Sequence, residues 1–318
     1  MSSTLSQAEL NAILDFTVAL ARKAGALILE GSEAIRASGA MDEKKNSVEL
    51  VTEYDERVEE LVKRELSAQY PSFKFIGEES YAAGARTSLT DEPTFCVDPI
   101  DGTTNFVHGF PAVCVSIGLI SGKRPVLGVL YNPFLDQLYT GVKGGGSYLA
   151  QGGRAPARLP LARPRPLPSL SQALLGIEWG SDRSADMVRH KGESSQRLAG
   201  NPTEGVEGGG MAHALRSLGS AALNFAMGRA GWTCTGAPWD VCAGAIIAQE
   251  AGCLVAGSHN SPLDNDVNQE VLEGRKYIVI RAIGDSETEK GVDAQKRLIK
   301  DFCATVDRTS SPSDYDER

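Results

Sequence analysis

Five apolar runs of strand length, "FKFIGEE", "TFCVD", "AVCVSIGLI", "PVLGVLYNP" and "QLYTGV", follow one another after Pro71 and constrain this chain more than any other feature. The pieces between them, such as "SGKR" and "PFLD", are tight-turn sequences. A tight turn joins neighbouring strands only when they run antiparallel, so this region reads as a meandering, mostly antiparallel sheet. Two helices precede it. Leu, Ala and Ile recur at helical spacing from Leu5 to Leu29, and "DERVEELVKRELSAQY" gathers Val58, Leu61, Val62 and Leu66 into one stripe opposite its charges. Two helices followed by a sheet make an α+β layer arrangement.

The chain then changes character. "RAPARLPLARPRPLP" is rich in Pro and Arg, and repeated Pro removes amide donors, so this stretch is expected to cross the surface between two domains or to form a basic patch there. The boundaries this suggests are 1–153 for an N-terminal α+β domain, 154–302 for a C-terminal α/β domain and 303–318 for a polar tail. Within the second domain, "MAHALRSLGSAALNFAMGRAG" has helical periodicity in its later part, "WDVCAGAIIAQEAG" reads as a helix beginning beside Asp240, and "YIVIRA" reads as a buried strand. The Gly144–Gly146 run lacks the Lys-Ser or Lys-Thr of a phosphate loop and reads as a hairpin turn.

Charge and apolar pattern exclude several classes of partner. With 41 acidic against 32 basic side chains the formal charge is −9, so no net positive field attracts a nucleic-acid backbone. The longest apolar stretches are too short to cross a bilayer. Glu9 and Asp15 precede any basic residue and no secretory signal is read, while six cysteines without a CxxC pair read as buried thiols. A cytoplasmic protein is the expectation.

The segment "FCVDPIDGTTNFVHGFP" carries the chemistry. Asp98 ends an apolar run, Asp101 follows three residues later beyond a stiffening Pro99, and the Ile100 carbonyl can point to the same place. Such hard oxygen donors suit Mg2+. Gly102, Thr103 and Thr104 supply amides and hydroxyls, and a helix starting there would offer free amides to phosphate oxygens. "FIGEES" sets Glu78 and Glu79 just beyond another strand, so at least one should turn toward the Asp98 loop to bind metal and accept a proton from water. Asp240 could cap its helix, present a carboxylate to a metal, or do both. Asp55 opens the second helix, either as a capping-region acid or as an acceptor for Thr103 and an orienter of metal-bound water. Lys44 and Lys45 are either a solvated pair or a means of steering phosphate.

These segments together resemble the inositol monophosphatase family. The resemblance rests on "GEES" at Gly77–Ser80, "DPIDGTTNFVHGFP" at Asp98–Pro111, "LRSLGSAALN" at Leu215–Asn224 and "WDVCAG" at Trp239–Gly244, in the family's order through nearly the whole chain. It implies a layered α/β/α/β/α sandwich of the inositol monophosphatase and sugar phosphatase type, Mg2+ dependence, lithium inhibition and a homodimer. By the same resemblance Glu78, rather than Glu79, binds metal, Asp98 bridges metals, the Ile100 carbonyl completes one shell, and Asp101 with Asp240 holds the other. Glu78 and Thr103 prepare the attacking water, the Gly102 and Thr103 amides contact phosphate, Asp55 is the outer acid, and Gly219, Ser220 and Ala221 form the substrate-side loop.

The implied substrate is a small phosphorylated polyol, inositol monophosphate first. Related sugar or nucleotide phosphatases, a quinate-pathway homologue and a catalytically weak metal or phosphate sensor are the alternatives. One departure bears on that choice. "GRAGWTCTGAPWD" is shorter than the family's segment before Trp-Asp and lacks its acid for substrate hydroxyls, so the strand ahead of Asp240 is expected to be altered.

Overall fold

Leu10, Ile13, Thr17, Leu20, Ala21, Ala24 and Ile28 are buried along α1 (Gln7–Ser38) at intervals of three or four residues. That spacing gives the helix one inward face. The structure, a computed structural model, describes residues 5–38, 43–46, 49–50, 53–85, 87–228, 230–234 and 237–306. After α1 come β1 (Glu43–Asn46), β2 (Glu49–Leu50), α2 (Glu53–Gln69), β3 (Lys74–Gly77), α3 (Glu78–Ala82), β4 (Thr94–Asp101) and α4 (Thr103–His108). The meander continues with β5 (Cys114–Ser121), β6 (Arg124–Asn132), β7 (Gln137–Val142), β8 (Gly146–Gln151) and β9 (Ala157–Arg158). The second half holds β10 (Leu174–Ile177), α5 (Ala185–Ala199), β11 (Ala214–Arg216), α6 (Ala221–Ala226), β12 (Ala230–Cys234) and α7 (Pro238–Glu250). It closes with β13 (Leu254–Ala256), α8 (Gln269–Glu273), β14 (Lys276–Ile280) and α9 (Gly291–Val306).

Strands β3 to β9 form one sheet in sequence order, antiparallel except for the parallel β3–β4 pair. A second sheet has the order β11-β10-β12-β14-β13. The period-two alternation of side chains sorts both sheets into layers. Phe95, Val97, Ile117, Leu127 and Val129 face α1 and α2, while Cys96, Cys114 and Leu130 face α6 and α7. In β14, Tyr277 and Val279 turn toward α7, and Ile278 and Ile280 turn toward α9. The result is the α/β/α/β/α order, with α7 in the middle layer.

Three glycines explain how α7 seats there. Gly118, Gly128 and Gly141 are register partners on β5, β6 and β7 and make a row across the sheet. A Cβ on Gly118 would collide with the Cys242 sulfur, one on Gly128 with the Ala243 carbonyl, and one on Gly141 would lie 2.8 Å from Ile247 Cα. The helix therefore approaches the sheet at backbone distance, which only residues without side chains permit.

Several elements differ from the sequence expectation. The first helix runs on to Ser38 rather than ending near Leu29. Helix α9 continues through Val306, with Phe302 and Val306 buried at the four-residue spacing set by Ala294 and Leu298, so residues 303–306 belong to the packed helix and not to a polar tail. Strand β12 is present and paired on both sides, parallel to β10 and antiparallel to β14. The short segment before Asp240 has thus kept its strand. Lys44 and Lys45 sit in β1, and their side chains lie outside the described residues, as does most of "TVDRTSSPSDYDER". The described cysteines are free, with Cys96, Cys114, Cys242 and Cys253 buried, and no helix among the described residues is long and apolar enough to cross a membrane.

Gly128→Ala is expected to lower stability by about 1–3 kcal/mol, the usual cost of adding a methyl to a filled core. Gly192→Ala, on α5 with no atom within 4 Å of its new Cβ, should instead raise stability by about 0.5–1 kcal/mol from helix propensity. Urea unfolding of the two variants separates these effects, and equal shifts in both would contradict close seating of α7.

Candidate active site

Strand β4 is buried at every position and ends in acids. Asp98 pairs with Ser116 and Asp101 with Cys114, so three steps on β4 oppose two on β5. In a regular strand, residues three apart point to opposite faces. The extra residue of this bulge returns Asp101 to the α7 side shared by Cys96 and Asp98, and Pro99 sits where a missing amide costs no ladder bond. The Ile100 amide donates to Asp98 Oδ1 at 3.0 Å, and the Thr103 hydroxyl donates to the Ile100 carbonyl at 3.1 Å.

Glu78 arrives from the neighbouring strand. β3 runs parallel to β4 with Gly77 opposite Val97, which places Glu78 level with Asp98 as the first residue of α3. This turn is tied down by Glu59 on α2, whose carboxylate accepts from the Glu79 amide at 2.7 Å and the Ser80 amide at 2.8 Å. A Cβ on Gly77 would lie 2.5 Å from Glu59 Oε2, so glycine is needed for that approach.

Asp240 comes from above the sheet in the first turn of α7, after Pro238. The Ala237 amide donates to its Oδ2 at 2.6 Å, so Asp240 caps the helix as well as facing the site. Ser116, the partner of Asp98 across β4–β5, donates its hydroxyl to the Trp239 carbonyl at 3.1 Å and fixes where the helix starts. Tyr81 of α3 packs its ring on Trp239, with centroids 5.1 Å apart.

These three elements bring carboxylate oxygens of Glu78, Asp98 and Asp240 within 4.8 Å of one another. Asp101 and Asp55 adjoin them and are buried, with Asp98 and Asp55 each only 2% exposed. So many anions cannot share a poorly solvated space, and protonation is the response. Burial first, then the Asp240, Asp55, Glu79 and Asp101 charges, pushes Glu78 well above the ordinary carboxylate range. Burial first, then the Glu78, Asp101, Asp240 and Asp55 charges, does so for Asp98. Asp101 rises to about 7 through burial and Asp240, against the pull of Ser220 and the Ala222 and Ala221 amides. Asp240 rises to about 6 through burial, restrained by the Ala237 amide and a hydrogen bond with Asp98. A divalent cation is the other way to neutralise such a cluster, and all-oxygen donors suit a hard one.

Residues 9–300 match the family model described as the inositol monophosphatase family. The chain belongs to the inositol monophosphatase family. Its members are phosphatases, hydrolases of phosphoric monoesters that require metal. Among its relatives, Protein qutG of Emericella nidulans is 41% identical over 96% of both chains. Inositol monophosphatase 2 of Saccharomyces cerevisiae is 39% identical over 82% of this chain and 84% of its own. Among solved structures, the extragenic suppressor protein suhB of Bartonella henselae superposes with a TM-score of 0.68 at 24% identity, covering 92% of this chain and 98% of that one. The Thermotoga maritima IMPase TM1415 gives 0.66 at 24%, covering 94% and 100%. Both structural likenesses concern the fold.

Within this inositol monophosphatase fold, the other residues singled out from sequence fall as follows. Asp101 lies beside the three-carboxylate group and is gripped by α6: Ser220 Oγ and the Ala222 amide (2.9 Å) donate to Oδ2, and the Ala221 amide donates to Oδ1 at 3.2 Å. The polar groups of Ser220 and Ala221 thus face Asp101, and Ser220 is fully buried. Gly219 has φ +73° and turns its amide to Glu178 at 3.0 Å. Gly102, with φ +92°, lies under this loop, where a Cβ would be 2.7 Å from the Ala112 carbonyl and 3.1 Å from that of Gly219. The Thr103 hydroxyl donates to the Ile100 carbonyl, three residues back in the tight turn.

Sequence reading passed over Glu59, Asn105, Ser116 and Glu178. Glu59 had a signal, since it shares with Asp55 the face of α2 that carries Val58 and Val62 inward. Glu178 also had one, an acid directly after the apolar β10, the same pattern that exposed Glu78.

Asp101 and Asp240 are neutral in the cation-free fold up to about 7 and about 6, against an ordinary value of 3.8. Their raised values contribute stability that is complete below pH 3.8 and is lost as pH rises through about 6 to 7. Melting temperature in chelator is therefore expected to fall from pH 5 to pH 8, to fall less in Asp240→Asn, and to be restored more strongly by Mn2+ at the higher pH. A wild-type melting temperature that rises throughout this range in chelator contradicts the crowding of carboxylates.

Proposed function

We propose that this family member hydrolyses a small polyol monophosphate, inositol monophosphate foremost, with Mg2+ held by Glu78, Asp98, the Ile100 carbonyl, Asp101 and Asp240. The observation that supports this most is the meeting of Glu78, Asp98 and Asp240 from three separate elements within 4.8 Å. The donors fit the ion: they are oxygens on buried or part-buried residues, and their raised proton affinities mark a missing positive charge. Bound there, Mg2+ would make water a stronger nucleophile and stabilise the departing ester oxygen.

The chain's own groups do the rest. Glu78, on the fixed first turn of α3, takes the proton of the attacking water, and the Thr103 hydroxyl orients that water. The Gly102 and Thr103 amides receive the phosphate oxygens, with the positive φ of Gly102 turning the backbone toward them. Asp55, buried at the start of α2, orients the water from behind. In the loop at Gly219, Ser220 and Ala221, the Gly219 amide is engaged by Glu178 and the Ser220 hydroxyl and Ala221 amide by Asp101, so the exposed edge at Gly219 is what meets the substrate. The working form is a cytoplasmic homodimer.

A second substrate reading has its own support. A Neurospora crassa relative, 36% identical over 96% of each chain, is named quinic acid degradation cluster protein x. The phosphate ester of a cyclic polyhydroxy acid is the alternative substrate that this suggests.

A phosphate-release panel with Mg2+ decides between them. Inositol, sugar, nucleotide and cyclic polyhydroxy-acid monophosphates are compared, with and without Li+. Release that depends on Mg2+, is suppressed by Li+ and is fastest with inositol monophosphate is the expected result. Release unaffected by chelator contradicts the reaction, and preference for the acid ester replaces the substrate. Asp98→Asn should cut turnover by about 100-fold or more, since loss of a direct ligand should exceed the 10–100-fold typical of outer partners. Glu78→Gln at saturating Mg2+ should also be slow, and normal turnover there would move water activation elsewhere. Sedimentation checks the dimer.

A further inference from the structure

Strands β10 and β11 run parallel with Gly176 opposite Arg216, so both chains leave the sheet at the same edge. Just beyond β10, the Glu178 carboxylate collects four donors. Oε1 accepts from the Leu218 amide at 2.9 Å and from Asn224 Nδ2 at 2.7 Å, and Oε2 accepts from Ser217 Oγ at 2.9 Å and from the Gly219 amide at 3.0 Å. Its own backbone is held as well, because Lys191 Nζ, on a buried side chain of α5, donates to the Glu178 carbonyl at 2.8 Å and the Trp179 carbonyl at 2.6 Å.

The loop that Glu178 grips is gripped from its other side by the motif. Asn105 of α4 donates through Nδ2 to the Leu218 carbonyl at 2.6 Å and to the Ala112 carbonyl at 2.8 Å. Leu218 and Gly219 are thereby fixed between the two halves of the chain. The residues that follow are Ser220, Ala221 and Ala222, which supply the hydroxyl and the two amides on Asp101. Four donors converging on one group call for an acceptor with two oxygens, which among side chains a carboxylate supplies.

We propose that Glu178 is a positioning residue for Asp101: it holds the Ser217–Gly219 segment in the one arrangement that points Ser220, Ala221 and Ala222 at that carboxylate. This rests on the proposal that Asp101 belongs to the cation site. Glu178 reaches neither cation nor substrate. Its effect passes through the loop to the orientation of one ligand, so its loss alters how well the site holds its ion.

The test is calorimetric titration of the full chain with Mn2+, well below the melting temperature, joined to kcat and KM. Glu178→Gln keeps the shape but turns an NH2 toward two of the four donors. It is expected to raise the Mn2+ Kd about tenfold, the lower end of what outer partners of ligands contribute, and to lower kcat with little change in KM. Glu250→Gln is the structural control, because Glu250 at the far end of α7 accepts from the Gly144 amide at 2.8 Å and the Gly146 amide at 2.9 Å. It should lower the melting temperature and leave the Mn2+ Kd unchanged. Ser217→Ala removes a single bond and is expected to weaken Mn2+ about twofold, so it decides the matter if Glu178→Gln does not fold. An unchanged Kd in Glu178→Gln, or an equal loss in Glu250→Gln, overturns this role while leaving the site reading intact. A wild-type chain that binds no Mn2+ overturns both.

Discussion

Close contact between α7 and the seven-stranded sheet is the interaction on which the rest of this molecule depends. The row of Gly118, Gly128 and Gly141 leaves no side chain between helix and strands, so the helix axis is fixed by backbone against backbone. Ser116 then sets its position along that row through the Trp239 carbonyl. Because Ser116 is also the register partner of Asp98, the same strand residue that stops the helix places Asp240 over the end of β4. Dispersion and hydrophobic burial along α7, whose buried residues run from Trp239 to Ala248, supply the force that holds Asp240 among other acids.

That force works against electrostatics. Burial denies Glu78, Asp98, Asp101 and Asp240 water and raises the proton affinity of each, and neighbouring carboxylates raise those of Glu78, Asp98 and Asp101 further. The scaffold therefore keeps a local conflict that protons relieve in the free chain and that a divalent cation, as proposed, would relieve in the working one. Conflicts of this kind persist where the surroundings over-determine the geometry. Here the surroundings are Glu59 under α3, the bulge at Pro99, the α6 amides on Asp101 and the Ala237 amide on Asp240. Each of these donors or turns belongs to a different element, which is how a site made of four carboxylates from three distant segments stays in register.

Much of this was legible in the residues alone. Strands from β3 to β7 announce themselves as apolar runs cut by turns, and acids placed directly after such runs mark Glu78, Asp98 and Asp101. What local pattern does not contain is register. Gly118, Gly128 and Gly141 look unrelated until pairing aligns them, and Ser116 looks like an ordinary strand residue until Asp98 is opposite it. Glu59 bonds about a turn of helix that lies twenty residues on, and Glu178 bonds a loop some forty residues on, so neither leaves a short-range signature. At the end of α9 the buried spacing of Leu298, Phe302 and Val306 is short and runs straight into polar sequence, so local pattern does not mark where the helix stops. The compact segment before Asp240 suggested a damaged strand, whereas pairing on both sides of β12 preserves it.

Anomalous diffraction from crystals grown with Mn2+ tests the account most directly. It predicts a peak bonded by carboxylate oxygens of Glu78, Asp98 and Asp240, with the α7 backbone still lying on the glycine row. A chain saturated with Mn2+ that shows no peak between β4 and the first turn of α7, or shows its peak elsewhere, would contradict it.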